Sequence, residues 1–366
     1  YTYFLESIGI RFLGLAGTSA GAINALLLAC AGPRSEKKTR QIIHALANLD
    51  VSLLIDGDAT AKKFIRTLLN GPRLLPLAIN GLQNLDNLHQ ELGLNPGMAF
   101  HDWLKDTIGK FGVSNVRDLL ELFSDVPKGL RRRDGSAALP HETNPKIAII
   151  AADITTETKV HFPEMADLYW ANPDEVNPAD FVRASMSVPF LFHPFRVDDI
   201  PNDLAHKQRW HDRVHLGSNP PKSCMFVDGG VMSNFPIDIF HHPANLPGAP
   251  TFGARLGHSK RKSQNVKTLF DFAPALLNAA RHTLDFDFFI KNPDYYQLVC
   301  CIDTGPHHWL NFDLTEEDKI DLFARGAEAA KQFVLGFDWQ RYKRTRAKLR
   351  EAFLESGSSN DQQRAT

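Results

Sequence analysis

An α/β fold with a central, mainly parallel sheet is what this 366-residue chain predicts, on three observations. Five short apolar runs, residues 10–16, 146–152, 224–227, 251–256 and 297–302, read as strands buried on both faces, as the strands of a parallel sheet do. Helical patterns lie between them. The first run also leads into Gly17-Thr18-Ser19-Ala20-Gly21, after which Ile23, Leu26, Leu27 and Cys30 recur at i, i+3, i+4 and i+7, one face of a helix.

Strand, G-x-S-x-G, helix is the setting in which that motif means a nucleophile elbow. The sharp turn exposes the Ser19 Oγ, the small neighbours Gly17, Ala20 and Gly21 let it close, and the helix N-terminus favours negative charge beside the serine. A rival reading exists for the same stretch. Residues 12–33 carry no charge and are long enough to span a bilayer. Thr18, Ser19 and Asn24 near its middle break the apolar character into two periods, which favours the elbow.

A chain with 43% apolar and 23% charged residues has the balance of an ordinary globular protein with a large core. Net charge −1 argues against broad nucleic-acid binding, which needs a basic face. Cys30, Cys224, Cys300 and Cys301 show no C-x-x-C spacing and read as buried reduced thiols, hence a cytoplasmic setting. No cluster has metal-ligand spacing, so neither metal nor organic cofactor is expected. The first residue is Tyr1 rather than Met, so the true start is expected to lie further upstream.

One catalytic domain is expected over residues 1–355. Residues 33–145 read as a helical insertion without a convincing strand, laid over the carboxyl ends of the strands, where α/β ligands bind. Residues 199–222, rich in polar residues, histidine and proline, read as a surface loop. A capping-box-like start at Thr315 precedes an apolar face of Ile320, Phe323, Ala327, Ala330 and Val334, a docked helix. Residues 356–366 read as a disordered tail.

A serine hydroxyl needs a base. Asp228 ends an apolar run and precedes Gly229 and Gly230, which permit close approach of backbone or substrate. Asn234 and Pro236 then fix the following turn. An Asp-Gly pair alone would as readily cap a turn; beside the elbow it reads as the partner of Ser19.

Together, Gly17 to Ala22 (GTSAGA) and Asp228-Gly229-Gly230 resemble the patatin-like phospholipase family, whose Ser-Asp dyad replaces the usual triad. Two further blocks support the resemblance: RASMSVPFLFHP from Arg183 to Pro194, and Ala152 to Thr156 (ADITT) at a strand end. The resemblance implies a three-layer α/β/α fold and hydrolysis of a phospholipid or other lipid ester through a Ser19 acyl-enzyme, with Asp228 as base and no histidine. Family members carry a glycine-rich oxyanion loop before the elbow, and the 18 residues ahead of Ser19 hold none. Either the loop lies upstream of Tyr1 or this variant lacks it; loss of such donors costs on the order of 10²–10³ in rate. The Ala20 N–H is the donor that remains visible. The alternative is a patatin-like effector that is catalytically silent, or switched on by a partner or small signalling molecule.

Other candidates have structural readings. His211 and His215 have i, i+4 metal spacing but no acidic partner; His241-His242 and His307-His308 read as surface or turn residues. Ser185 and Ser187 read as packing or turn hydroxyls, Asp153 as a strand-end acid, and Arg183 as either an ion-pair member or a guide for an anionic head group. Trp103, Trp170 and the phenylalanines of residues 270–289 read as core. Residues 341–350 carry six basic side chains, a solvated helix end or a peripheral contact with anionic lipid.

Overall fold

The computed structural model describes residues 1–58, 91–138, 143–233, 235–257, 288–307 and 314–364, with single positions 62, 266, 275, 279, 283 and 286, and side chains as far as Glu355. Asn234, His308 and most of residues 59–90 and 258–287 lie outside the described residues.

The fold is α/β. The chain opens with α1 (Thr2–Ser7), β1 (Gly14–Thr18) and α2 (Ala20–Cys30), then α3 (Thr39–Ala47), β2 (Gly93–Asn95), α4 (Met98–Lys110) and α5 (Val116–Ser124). There follow β3 (Lys146–Asp153), β4 (Thr158–Phe162), α6 (Pro178–Ser185), β5 (Phe190–Phe192), β6 (Phe195–Asp198), α7 (Leu204–Val214) and β7 (Ser223–Asp228). The last elements are β8 (Gly253–Leu256), β9 (Val299–Ile302), α8 (Glu316–Gly336) and α9 (Trp339–Arg364).

Each of the five expected strands forms. β1 pairs in parallel with β3, and β8 with β9, whereas β7 runs antiparallel to β3. β4 and β6, too short and mixed to stand out as apolar runs, add antiparallel pairs to β3 and β7. α2 is apolar all round and sits in the core, with Ala22, Leu26, Leu27, Ala29 and Cys30 fully buried. That burial is why the segment reads as a membrane span in the sequence. The structure divides it into a strand and a helix of 11 residues, and no described helix is long and apolar enough to cross a membrane.

Three other expectations are corrected. The insertion contains a strand: β2 pairs in parallel with β5, and a Cβ on Gly93 would lie 2.4 Å from the Phe192 backbone, so only glycine admits this approach. Three residues are too few for any period to be legible. Residues 199–222 are not simply a loop, because α7 forms within them. Asp203 caps it by accepting from the His206 N–H at 3.0 Å, and Trp210 anchors it, fully buried, with its indole N–H donating to the Leu168 carbonyl. Finally, α9 continues through Arg364, across most of the expected disordered tail.

Two buried arginines tie the insertion to the body of the fold. Arg34 donates to the carbonyls of Leu13, Ser124, Asp125 and Thr143. Arg183 donates to those of Pro96 and His193 and to the Ser187 hydroxyl, and burial pushes its pKa down to about 10 against the opposing effect of Asp56. Arg183 is therefore a strut within the fold, not a guide for a head group. Arg183→Met should cost about 3 kcal/mol by stranding these buried acceptors, read from urea unfolding. Unchanged stability would contradict the assignment.

Candidate active site

The elbow forms at the end of β1. Ser19 is the N-cap of α2 and adopts φ 54°, ψ −122°, a backbone region that side chains avoid and that turns the chain sharply from strand to helix. The two glycines of the motif have different roles. A Cβ on Gly17 would lie 2.1 Å from the Gly21 carbonyl oxygen, so the turn closes only because residue 17 has no side chain. A Cβ on Gly21 would meet nothing within 4 Å. Closure therefore rests on Gly17, not on both.

Strand register brings the second half to the same point. β4 occupies one edge of β3 from Ile149 to Asp153. β1 and β7 share the other edge, running in opposite directions. Thr18, the last residue of β1, pairs with Ile150, and Asp228, the last residue of β7, pairs with Ala151. The carboxyl ends of β1 and β7 thus meet head to head at Ile150–Ala151, and Ser19, Ala20, Gly21 and Asp228 line one cleft.

Asp228 is 4% exposed. Its Oδ1 accepts from the Gly230 N–H at 2.7 Å, and its own N–H donates to the Ser187 carbonyl at 2.8 Å. A Cβ on Gly229 would lie 2.1 Å from the Ile150 oxygen, so here too glycine permits a backbone contact. The Thr18 hydroxyl donates to the Ser233 carbonyl at 3.0 Å, tying the elbow to the loop after Asp228. Asn234, expected to help fix this turn, lies outside the described residues.

Sequence reasoning missed the end of α6. The Ser19 N–H donates to Ser185 Oγ at 2.9 Å, and the Ser185 hydroxyl donates to the Ile150 carbonyl at 2.5 Å. Ser187, just past the end of α6, supplies its carbonyl to Asp228 while its side chain bonds back to Arg183. The signal lay in the block starting at Arg183, whose two hydroxyls fall where a short helix ends. The Ser19 amide is thereby committed, whereas the Ala20 N–H, at the first position of α2, has no intrahelical acceptor, and Ala20 lines the cleft.

The remaining candidates sit in structural settings. Asp153 is fully buried and accepts from the N–H groups of Thr155 and Thr156 and from the Thr156 and Tyr169 hydroxyls. His211 is exposed on α7 and His215 caps that helix at φ 55°. His241 bonds the Tyr295 hydroxyl at 2.6 Å, and His307 bonds Asp321 at 2.8 Å. Trp103 and Trp170 pack against the main core. All four cysteines are free, but Cys301 is exposed, because alternation along β9 turns it away from buried Cys300. Residues 341–350 do not form one basic face. Arg346 is buried, donating to the carbonyls of His242, Pro243 and Asn245 beside Asp294, and Arg350 donates to the Ala244 carbonyl.

Comparison with known proteins gives the family. The model of the patatin-like phospholipase family matches residues 1–241, which include the elbow, the Arg183 block and the Asp228 loop. The chain belongs to the patatin-like phospholipase family. It is also 26% identical over 332 residues to the uncharacterized protein YqhO of Bacillus subtilis (strain 168), covering 90% of each chain. The membership carries lipid acyl hydrolysis as the family's chemistry. The similarity to YqhO adds no activity but extends the likeness beyond residue 241.

Proposed function

We propose that this protein is a serine-dependent lipid acyl hydrolase of the phospholipase A or broader esterase type. The observation that carries the reading is the head-to-head meeting of β1 and β7 on β3, which sets a strained serine and a buried carboxylate at one cleft. In this mechanism Ser19 Oγ attacks the ester carbonyl while Asp228 accepts its proton. The alcohol leaves with that proton, and water then releases the acyl group from Ser19 by the same route. The carboxylate of a free aspartate, with pKa about 3.9, is a weak base at neutral pH. The α2 N-terminus compensates by favouring negative charge at the serine and at the developing oxyanion, where the Ala20 N–H is the elbow's donor.

Apolar groups along the cleft, among them Leu28, Leu54, Phe235, Ile237 and Phe286, suit an acyl chain. Leu68 to Leu82 lie outside the described residues. Purified protein should hydrolyse short p-nitrophenyl esters, release fatty acid from phospholipid vesicles and be labelled at Ser19 by a fluorophosphonate. A protein inert to all three at micromolar concentration would overturn the reading.

The four free thiols suit a reducing compartment, and the proposed setting is the cytoplasmic face of a membrane. Arg341, Arg344 and Lys348 are exposed at i, i+3 and i+7, one face of α9. At about 1 kcal/mol per basic residue near an anionic surface, neutralising the three should weaken binding to anionic vesicles about 10²-fold at low salt. Hydrolysis of a soluble ester should not change. Equal vesicle binding by the triple variant would remove this face from the reading.

A further inference from the structure

We propose that Ser185 is the positioning residue of the nucleophile: its hydroxyl holds the Ser19 elbow in reactive geometry by accepting the Ser19 N–H. The proposal rests on reading Ser19 as the nucleophile. A hydroxyl has one proton to donate and two lone pairs to offer. The Ser185 proton is spent on the Ile150 carbonyl at 2.5 Å, so toward Ser19 the oxygen can only accept, and it does so at 2.9 Å. Ser185 is fully buried, so no solvent competes for either bond. The orientation of this hydroxyl is therefore fixed by its surroundings.

The bond falls where the elbow needs a restraint. Ser19 sits at φ 54°, a conformation that persists only when neighbouring structure enforces it. The Gly17–Gly21 contact enforces the turn from the inside, and Ser185 grips the amide of the strained residue itself. Ile150 is the anchor of the arrangement. It pairs with Thr18 in register, its carbonyl takes the Ser185 proton, and the same carbonyl faces the space that a Cβ on Gly229 would fill. Two residues further on, the Ser187 carbonyl takes the Asp228 N–H. The end of α6 thus holds both members of the dyad, one through a side chain and the other through the backbone. Only the first can be removed by substitution.

The bond also selects the oxyanion donors. With its amide pointed at Ser185, Ser19 cannot turn that N–H toward the substrate, so of these two neighbouring amides the elbow presents that of Ala20. Loss of Ser185 frees the Ser19 amide and lets the serine leave its attack position, and misplacement by about 1 Å costs on the order of 10²-fold in rate.

The test uses the full chain and the second-order rate of Ser19 labelling by a fluorophosphonate, with kcat and KM on a soluble ester. Thermal unfolding is followed for every variant. Ser185→Ala should lower the labelling rate and kcat by about 10²-fold with KM changed less than about twofold. Ser185→Thr, which keeps the hydroxyl, should recover most of that loss. Thr158→Val, which removes a buried hydroxyl from β4, should label like the wild type even if it melts earlier. If Ser185→Ala does not fold, Ser185→Cys keeps the shape with a weaker acceptor and should label about tenfold slower. Labelling of a folded Ala or Cys variant at the wild-type rate overturns the proposal. A wild type that is not labelled at Ser19 overturns the nucleophile reading instead, and this proposal with it.

Discussion

Ser19→Ala should abolish ester hydrolysis, and Asp228→Asn should reduce it by a factor on the order of 10⁴, as expected when one member of a nucleophile–base unit is removed. Asparagine is the sharper probe at 228. Its side-chain oxygen can still accept the Gly230 N–H, and its own N–H can still reach the Ser187 carbonyl, so the loop stays closed while the base is lost. Alanine at 228 would also strand the Gly230 amide in a buried place and mix a folding defect with a chemical one. At position 19 the backbone bond to Ser185 survives alanine, so the variant should fold. Initial rates on a p-nitrophenyl ester, at matched folded concentration, decide the matter. Wild-type turnover by Ser19→Ala would end the dyad mechanism, whereas turnover surviving only in Asp228→Asn would leave the nucleophile in place and require another base.

Much of this arrangement was legible in the sequence because it depends on short, local rules. A G-x-S-x-G between a buried strand and an apolar helix specifies the elbow, and an Asp-Gly-Gly at a strand end marks a place where backbone approaches backbone. What could not be read was register. Nothing in residues 146–153 says that β1 and β7 share an edge of β3, since its run of apolar side chains is the same for either partner. Ser185 was hidden for a related reason. A hydroxyl at the end of a helix most often bonds within its own turn, as Ser187 does with Arg183, and only the packing of α6 against β3 and β7 turns the first hydroxyl toward the elbow.

Charge and polarity misled where one buried residue outweighed the composition around it. α7 reads as a loop because it is mostly polar, yet Trp210 and the Asp203 cap are enough to fold it against the body. In residues 341–350 six basic side chains suggest a single surface, but Arg346 satisfies three carbonyls from the interior. A basic residue is placed by the acceptors it finds, and its neighbours in sequence do not reveal them.

The two glycines of the elbow offer a second large effect with an internal control. Gly17→Ala would set a methyl 2.1 Å from the Gly21 oxygen, 2.2 Å from its carbonyl carbon and 2.6 Å from the Ala22 nitrogen. All three are backbone atoms at the start of α2, so relief requires the helix to move off β1. A shift of that kind costs about 3 kcal/mol on the scale of overpacked cores, and it carries Ser19 away from Asp228. Esterase activity should fall on the order of 10²-fold in whatever fraction remains folded. Gly21→Ala places its methyl in open space inside the first turn of α2, where alanine is the better helix former by up to about 1 kcal/mol. That variant should melt no lower than the wild type, in contrast to Gly17→Ala. The two glycines lie four positions apart in one motif, so a common loss of stability in both would mean that the motif acts through flexibility rather than through the close contact at Gly17. Tolerance of Gly17→Ala would show that α2 can leave β1 without disturbing Ser19, and the strained elbow would then have no part in positioning it.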